Sequence, residues 1–374
     1  MNKDNLKNSS PIQKSTLSVF QIAVMTTISV ASLRTLPPMA EEGRASILMY
    51  IIPAILFLVP TSLVSAEFAT TYKGGVYVWI REAFGNRMGF VAIWLQWVQN
   101  VVWYPVQLAF VAAALAFTIN RGDLSNSGLF TAIVIIVVYW FSTFLAFKGG
   151  NLFAKVSSIG GMIGVLIPGA ILIILGLLWV AQGQPISESY LQSSYIPKIT
   201  GISSLVLIVS NVLSYAGMEM NAVHAGQMEN PKKDFTKAIT LAFILILCVF
   251  IFPTLSISMA VPADKLGMAN GIMVAFQEFF EKFHISWMSN IMSGAMFFGA
   301  IASVVTWVAG PSKGLLDAGR TGLLPPILQK KNKNNVQISI LIFQGIIVTI
   351  LAMIYVLFPD VSDVFIALIG MAAA

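Results

Sequence analysis

Nine apolar stretches, each about as long as a bilayer crossing requires, recur along this 374-residue chain with short polar connections, and a tenth begins near residue 361. Crossing the roughly 30 Å hydrocarbon layer takes about 20 helical residues. The stretches lie near 17–39, 47–70, 89–118, 128–147, 156–181, 203–226, 236–260, 286–311 and 337–357. In lipid a lone segment must satisfy its own backbone N–H and C=O groups, so each stretch is expected to be a helix. The alternating pattern of a membrane barrel is absent. With 57% hydrophobic and 10% charged residues, the composition excludes a soluble globular class and points to an all-α polytopic membrane protein. The tenth stretch reaches Ala374 after 14 residues, so the last span reads as incomplete and the chain as C-terminally truncated.

The basic residues orient the expected bundle. With a cytoplasmic N-terminus, 16 of the 22 Lys and Arg residues fall in loops on that side, five fall on the other, and Arg34 lies inside the first span. This asymmetry follows the positive-inside rule and accounts for the net charge of +6 without a nucleic-acid partner. Residues 1–15 read as a cytoplasmic tail and 16–374 as one transmembrane domain. The first span is too long for a secretory signal and no A-x-A site follows it. Cys248 is the single cysteine, so neither a disulfide framework nor a cysteine-based metal site is available. No cofactor motif is present.

Three spans carry polar or helix-breaking residues at membrane depth. The first contains Thr26, Thr27, Ser29, Ser32, Arg34 and Thr35 just before Pro37-Pro38; the sixth runs Ser210, Asn211, Ser214, Tyr215, Gly217, Glu219, Asn221, His224; the eighth has Gly294, Gly299, Ser303, Thr306, Gly310 and Pro311. A carboxylate at the bilayer centre costs about 2.5–3.5 kcal/mol on insertion scales, and such groups usually line a cavity or pair with another residue. Glu219 therefore reads as a site residue. Irregular backbone at this depth is tolerated only where it is buried in protein or faces a water-filled space. Breaks five spans apart, in spans one and six, are the pattern of an inverted repeat of five plus five helices.

Three blocks carry a family resemblance. Ala66-Glu67 with Gly74-Gly75-Val76-Tyr77-Val78-Trp79, Phe84-Gly85 and Gly89-Phe90 resembles the junction of helices two and three in the amino-acid/polyamine/organocation superfamily. Ser214-Tyr215-Ala216-Gly217-Met218-Glu219 with Glu229-Asn230-Pro231-Lys232-Lys233 is similar to its sixth helix and following loop. Trp307-Val308-Ala309-Gly310-Pro311-Ser312-Lys313-Gly314 through Leu323-Leu324-Pro325 resembles its eighth helix and exit. Within the superfamily the chain looks most like the glutamate:gamma-aminobutyrate antiporter branch, although Arg34 stands where relatives carry an aromatic residue.

The resemblance implies a LeuT-like bundle with discontinuous helices 1 and 6 and an amino acid bound between them. Broken helices expose N–H groups that suit a carboxylate and carbonyls that suit an ammonium. Thr27, Ile28, Ser29 and Val30 are assigned to the first break, and Tyr215, Ala216 and Gly217 to the second. Glu219 is the electrostatic centre, steadying a gate or taking a proton, and Trp103 or Trp307 supplies an aromatic wall. Each has a plainer alternative: Glu219 as the ion-pair partner of Arg34, Arg34 as a grip for an acidic substrate or a snorkelling cation, and His224 as a gating group or an interhelical hydrogen-bond partner.

Enzyme readings find little support. Only His224 and His284 are available as imidazole ligands, and Gly310-x-Ser312-x-Gly314 closes a membrane helix rather than a strand-to-helix turn. The expected function is secondary amino-acid transport, by exchange of an amino acid such as glutamate for its decarboxylation product, functionally paired with a cytoplasmic decarboxylase. A proton-coupled uptake permease and a non-transporting membrane sensor are the alternatives.

Overall fold

A computed structural model describes residues 17–72, 75–148, 159–198, 202–220, 228–358 and 360–373. The elements among them are helical, and seven helices are individually long and apolar enough to cross a membrane: Gly43–Thr71, Asn86–Thr118, Gly128–Lys148, Ile159–Ala181, Pro231–Ala260, Met288–Val305 and Ile338–Leu357. They correspond to spans two to five and seven to nine. The first span is a broken pair, Val19–Val30 and Leu33–Glu41, bent by 46°. A half-length helix, Ile202–Ser214, begins the sixth, and Val361–Ala373 forms the tenth.

Span three is the axis of the molecule. Of its most apolar 18-residue window 78% is buried, against 33–50% in the other full-length helices. It packs along the eighth span and also meets the fourth and tenth, while the fourth and ninth pair with each other. The first span packs on the seventh. Among the described residues the architecture is the five-plus-five inverted-repeat bundle with discontinuous helices 1 and 6.

The broken first span departs from the expected register. Thr27 to Val30 lie in the last turn of a regular helix begun by a Ser18–Gln21 capping box. The break falls one step later, where Ala31 (φ −67°, ψ 126°) and Ser32 (φ −132°, ψ 121°) are extended. Pro37 and Pro38 do not cause a kink at their own positions. They sit in the first turn of Leu36–Glu41, where a missing N–H costs little.

The eighth span is also different from expectation, because it is unbroken from Met288 to Ala318 with Pro311 inside it. Gly310 to Gly314 is helix interior, and the exit lies at Gly319–Leu323, where Gly322 turns with φ 85°. Its glycine at 299 serves close packing: a Cβ there would stand 2.3 Å from the Cα of Gly164 on span five. That approach admits no side chain.

Candidate functional site

Where spans one and six are interrupted, they enclose a cavity of about 110 Å³ with spans three, five and eight. From span one it is lined by Ile28 through Thr35, from span six by Leu213, Ser214, Ala216 and Glu219, and from span eight by Met296, Gly299, Ala300, Ser303 and Trp307. The first helix ends at Val30, so the carbonyls of its last turn have no onward intrahelical donor beyond the Ala31 N–H to Thr27 O bond at 2.7 Å. The helix Ile202–Ser214 likewise presents its C-terminal, negative end here. Two carbonyl-rich ends suit an ammonium.

Gly217 is the hinge of the second break. Its φ of 114° is open to glycine and strained for other residues, and an added Cβ would lie 3.3 Å from Ser29 O and 3.4 Å from the Trp307 ring. Spans one and six therefore meet backbone to backbone. Ala216 lines the space, but Tyr215 does not: its ring is fully buried away from the cavity and its hydroxyl donates to Tyr50 O at 2.9 Å. Thr27 is also outside the lining, its hydroxyl donating to Ala23 O of its own helix at 2.8 Å. Ile28, Ser29 and Val30 do line it. Trp103 and Trp307 both face it, with ring centroids 5.9 Å apart.

Arg34 and Glu219 occupy the two ends. Arg34 is 4% exposed, so it does not snorkel; its Nε donates to Gln107 Oε1 at 3.1 Å, and the guanidinium lies over Phe365 at 5.7 Å. Its Nη1 has no hydrogen-bond partner. Glu219 Oε1 accepts a long contact, 3.4 Å, from Gln96 Nε2. Among the described residues Arg34 and Glu219 form no ion pair; the ion pairs found involve Arg81, Arg121, Lys237 and Lys265 instead. Gln96 and Gln107 are eleven residues apart on one helix, three turns and about 16 Å, on nearly the same face. The acid and the base are thus held at opposite ends of one polar track. His224 lies outside the described residues.

Of the third-span wall, sequence reasoning named only Trp103. Gln96, Gln99, Asn100, Gln107 and Phe110 line the cavity beside it. Their three-, four- and seven-residue spacing in an apolar span was the available signal. Tyr104, beside Trp103, donates its hydroxyl to the Trp307 carbonyl at 2.7 Å. That carbonyl is the one deprived of an intrahelical donor by Pro311, four residues on.

A cavity at the meeting of two interrupted helices, inside an inverted-repeat bundle, defines a membrane transporter rather than an enzyme. The solved structure of MhsT in complex with L-phenylalanine shares the fold, with a TM-score of 0.59 over 94% of this chain and 87% of that one at 14% identity. The chain belongs to the amino acid permease family, whose model matches residues 15–374. It is similar to an uncharacterized transporter of Legionella pneumophila, at 37% identity over 96% of this chain and 78% of the relative. The glutamate/gamma-aminobutyrate antiporter of Lactococcus lactis is 30% identical over 89% of this chain and 67% of its own length. A probable agmatine/putrescine antiporter of the same species is 27% identical over 88% and 69%. The protein is a multi-pass amino-acid transporter.

Proposed function

We propose that this transporter exchanges an external amino acid, glutamate or a close analogue, for the amine made from it by decarboxylation inside the cell. The observation that carries the reading is the placement of Arg34 and Glu219: a buried guanidinium with an unpaired Nη1 at one end of the cavity and a carboxylate at the other. Arg34 takes the side-chain carboxylate of the acid, a charge-assisted pairing. The helix ends and Glu219 take the ammonium common to acid and amine. Glu219, with His224 downstream, serves the gate and its coupling to protons. The N-terminus, with residues 1–15 as a tail ahead of the transport domain 16–374, is cytoplasmic, in keeping with the basic loops on that side. Similarity to a protein named as a glutamate/gamma-aminobutyrate antiporter supports the substrate pair.

Import of the acid, its decarboxylation with uptake of a proton, and export of the amine would together remove acid from the cytoplasm, which makes a decarboxylase the functional partner. The test is counterflow in proteoliposomes with a panel of radiolabelled amino acids and their decarboxylation products. Uptake of glutamate that requires internal gamma-aminobutyrate supports exchange. Uptake that needs only an inward proton gradient replaces it with a proton-coupled permease, and binding without flux replaces it with a sensor.

A further inference from the structure

Between Asp123 and Glu188, and again between Asp317 and Asp360, the sequence holds no acidic residue, yet the two stretches carry six Lys and Arg residues. The fold joins these stretches at one end of the bundle. Spans four and nine pack along each other, and the end of span four at Lys148 meets the loop that leads into span nine. Phe147 O is among the last carbonyls of the helix Gly128–Lys148, which have no intrahelical donor. Two loop side chains supply donors: Asn332 Nδ2 at 2.7 Å and Asn334 Nδ2 at 3.0 Å.

The loop is closed on itself as well. Asn332 Oδ1 accepts from the backbone N–H groups of Asn334 (2.9 Å) and Val336 (3.0 Å), and Asn332 N donates to Val336 O at 2.9 Å. Asn335 turns with φ 59°, a left-handed conformation that asparagine tolerates. Lys331 and Lys333 flank the clamping Asn332, and Lys148 follows the clamped Phe147. Three lysines are thus gathered round one pinned helix end, with Lys330 beside them. All four are exposed and, among the described residues, none forms an ion pair. A helix C-terminus carries about half a negative charge, which one lysine offsets. The others leave a net positive patch.

The adjoining surface is apolar. Phe144, one turn before Lys148, is 60% exposed, and Ile327 of the loop 66%. The rings of Trp140, Phe144 and Phe147 follow one another along span four at centroid distances of 6.3 and 5.9 Å. Trp140 is seated on span nine, where Gly345 leaves the room: a Cβ there would stand 2.9 Å from the ring. Its indole N–H donates to Thr349 Oγ1 at 3.1 Å. A positive patch at the end of a fixed aromatic seam matches a molecule with an anionic head and an apolar tail. An acidic protein segment or a free phosphate would use the cations and leave the rings bare.

We propose that the foot of spans four and nine is a binding site for an anionic phospholipid, its phosphate among Lys148, Lys331 and Lys333 and an acyl chain along Phe144 and Trp140. Lysines near a membrane surface attract anionic headgroups, and here the asparagine clamp fixes where they stand. The site rests neither on the exchange reading nor on the orientation of the bundle.

Native mass spectrometry of the purified, delipidated full chain, titrated with phosphatidylglycerol or with phosphatidylcholine of the same acyl chains, tests the proposal. The wild type should hold one phosphatidylglycerol about tenfold or more tighter than phosphatidylcholine. The triple variant Lys148→Gln, Lys331→Gln, Lys333→Gln abolishes that preference, and changing the same three positions to Arg keeps it. Asn332→Ala alters no charge but frees the loop, so the preference falls severalfold. Glycerol 3-phosphate, which has the charge without the tail, does not displace the lipid. Equal binding of the two lipids by the wild type, a preference that survives the Gln variant, or displacement by glycerol 3-phosphate overturns the inference. A preference that needs the lysines but ignores Asn332→Ala also overturns it, because a diffuse field then replaces a built site.

Discussion

Two prolines follow the break of the first span and one lies inside the eighth, yet only the first is interrupted. The difference lies in the carbonyls. Pro311 deprives Trp307 O of its intrahelical donor, and the hydroxyl of Tyr104 replaces it at 2.7 Å. The second span repeats the device: Pro53 frees Met49 O, which accepts from Asn211 Nδ2, and the helix passes through a π turn at Ala54–Leu58 without breaking. In the first span the extended backbone at Ala31 and Ser32 opens into the cavity, with the Thr35 hydroxyl donating to Ser32 O at 2.8 Å. In spans two and eight a proline inside the helix is thus tolerated because a side chain from another span pairs the freed carbonyl, whereas the break of span one lies ahead of its prolines, beside the cavity.

The largest expected effect comes from the packing that keeps the eighth span straight. Gly164→Leu forces a side chain into the 2.4 Å gap before the Gly299 Cα. It should destabilise the fold by about 3 kcal/mol or more, seen as loss of the monodisperse peak in size-exclusion chromatography. Next, Gly217→Val imposes a strained φ on the sixth-span break, worth about 1–3 kcal/mol; exchange should fall roughly 10- to 100-fold with yield unchanged, and unchanged exchange would mean that the break is not part of the site.

Tyr104→Phe leaves the Trp307 carbonyl unpaired and should cost about 1–2 kcal/mol in thermal unfolding. Adding Pro311→Ala should recover most of that loss, because alanine returns the missing N–H; failure to recover would refute the carbonyl argument. Smallest is Thr27→Ala. Its hydroxyl only bonds its own helix at Ala23 O, so substrate affinity should stay within about twofold, and a large drop would return Thr27 to the site.

Much of the bundle was legible because a span of 20 apolar residues has one stable form in lipid. The two interrupted spans were visible in their polar residues, and Ile28, Ser29, Val30, Arg34, Ala216, Glu219, Trp103 and Trp307 do converge on one cavity. The exact break was not legible, since Thr27 and Ser29 satisfy their hydroxyls on their own helix at Ala23 O and Met25 O and so remain helical. Tyr215 misled for a related reason: its hydroxyl has a carbonyl on span two to bind, Tyr50 O, which only the tertiary packing reveals. The unbroken eighth span also escaped prediction, because the partner that repairs it, Tyr104, stands 203 residues away.

The central claim is that substrate binds between the two interruptions. In a Cys248→Ser background, Ala216→Cys places one thiol in the cavity wall, and its rate of maleimide labelling is measured with and without saturating L-glutamate. Slowed labelling, with no slowing for a thiol at Thr27, is the predicted result. Equal rates with and without substrate, in a variant that still exchanges, would contradict it.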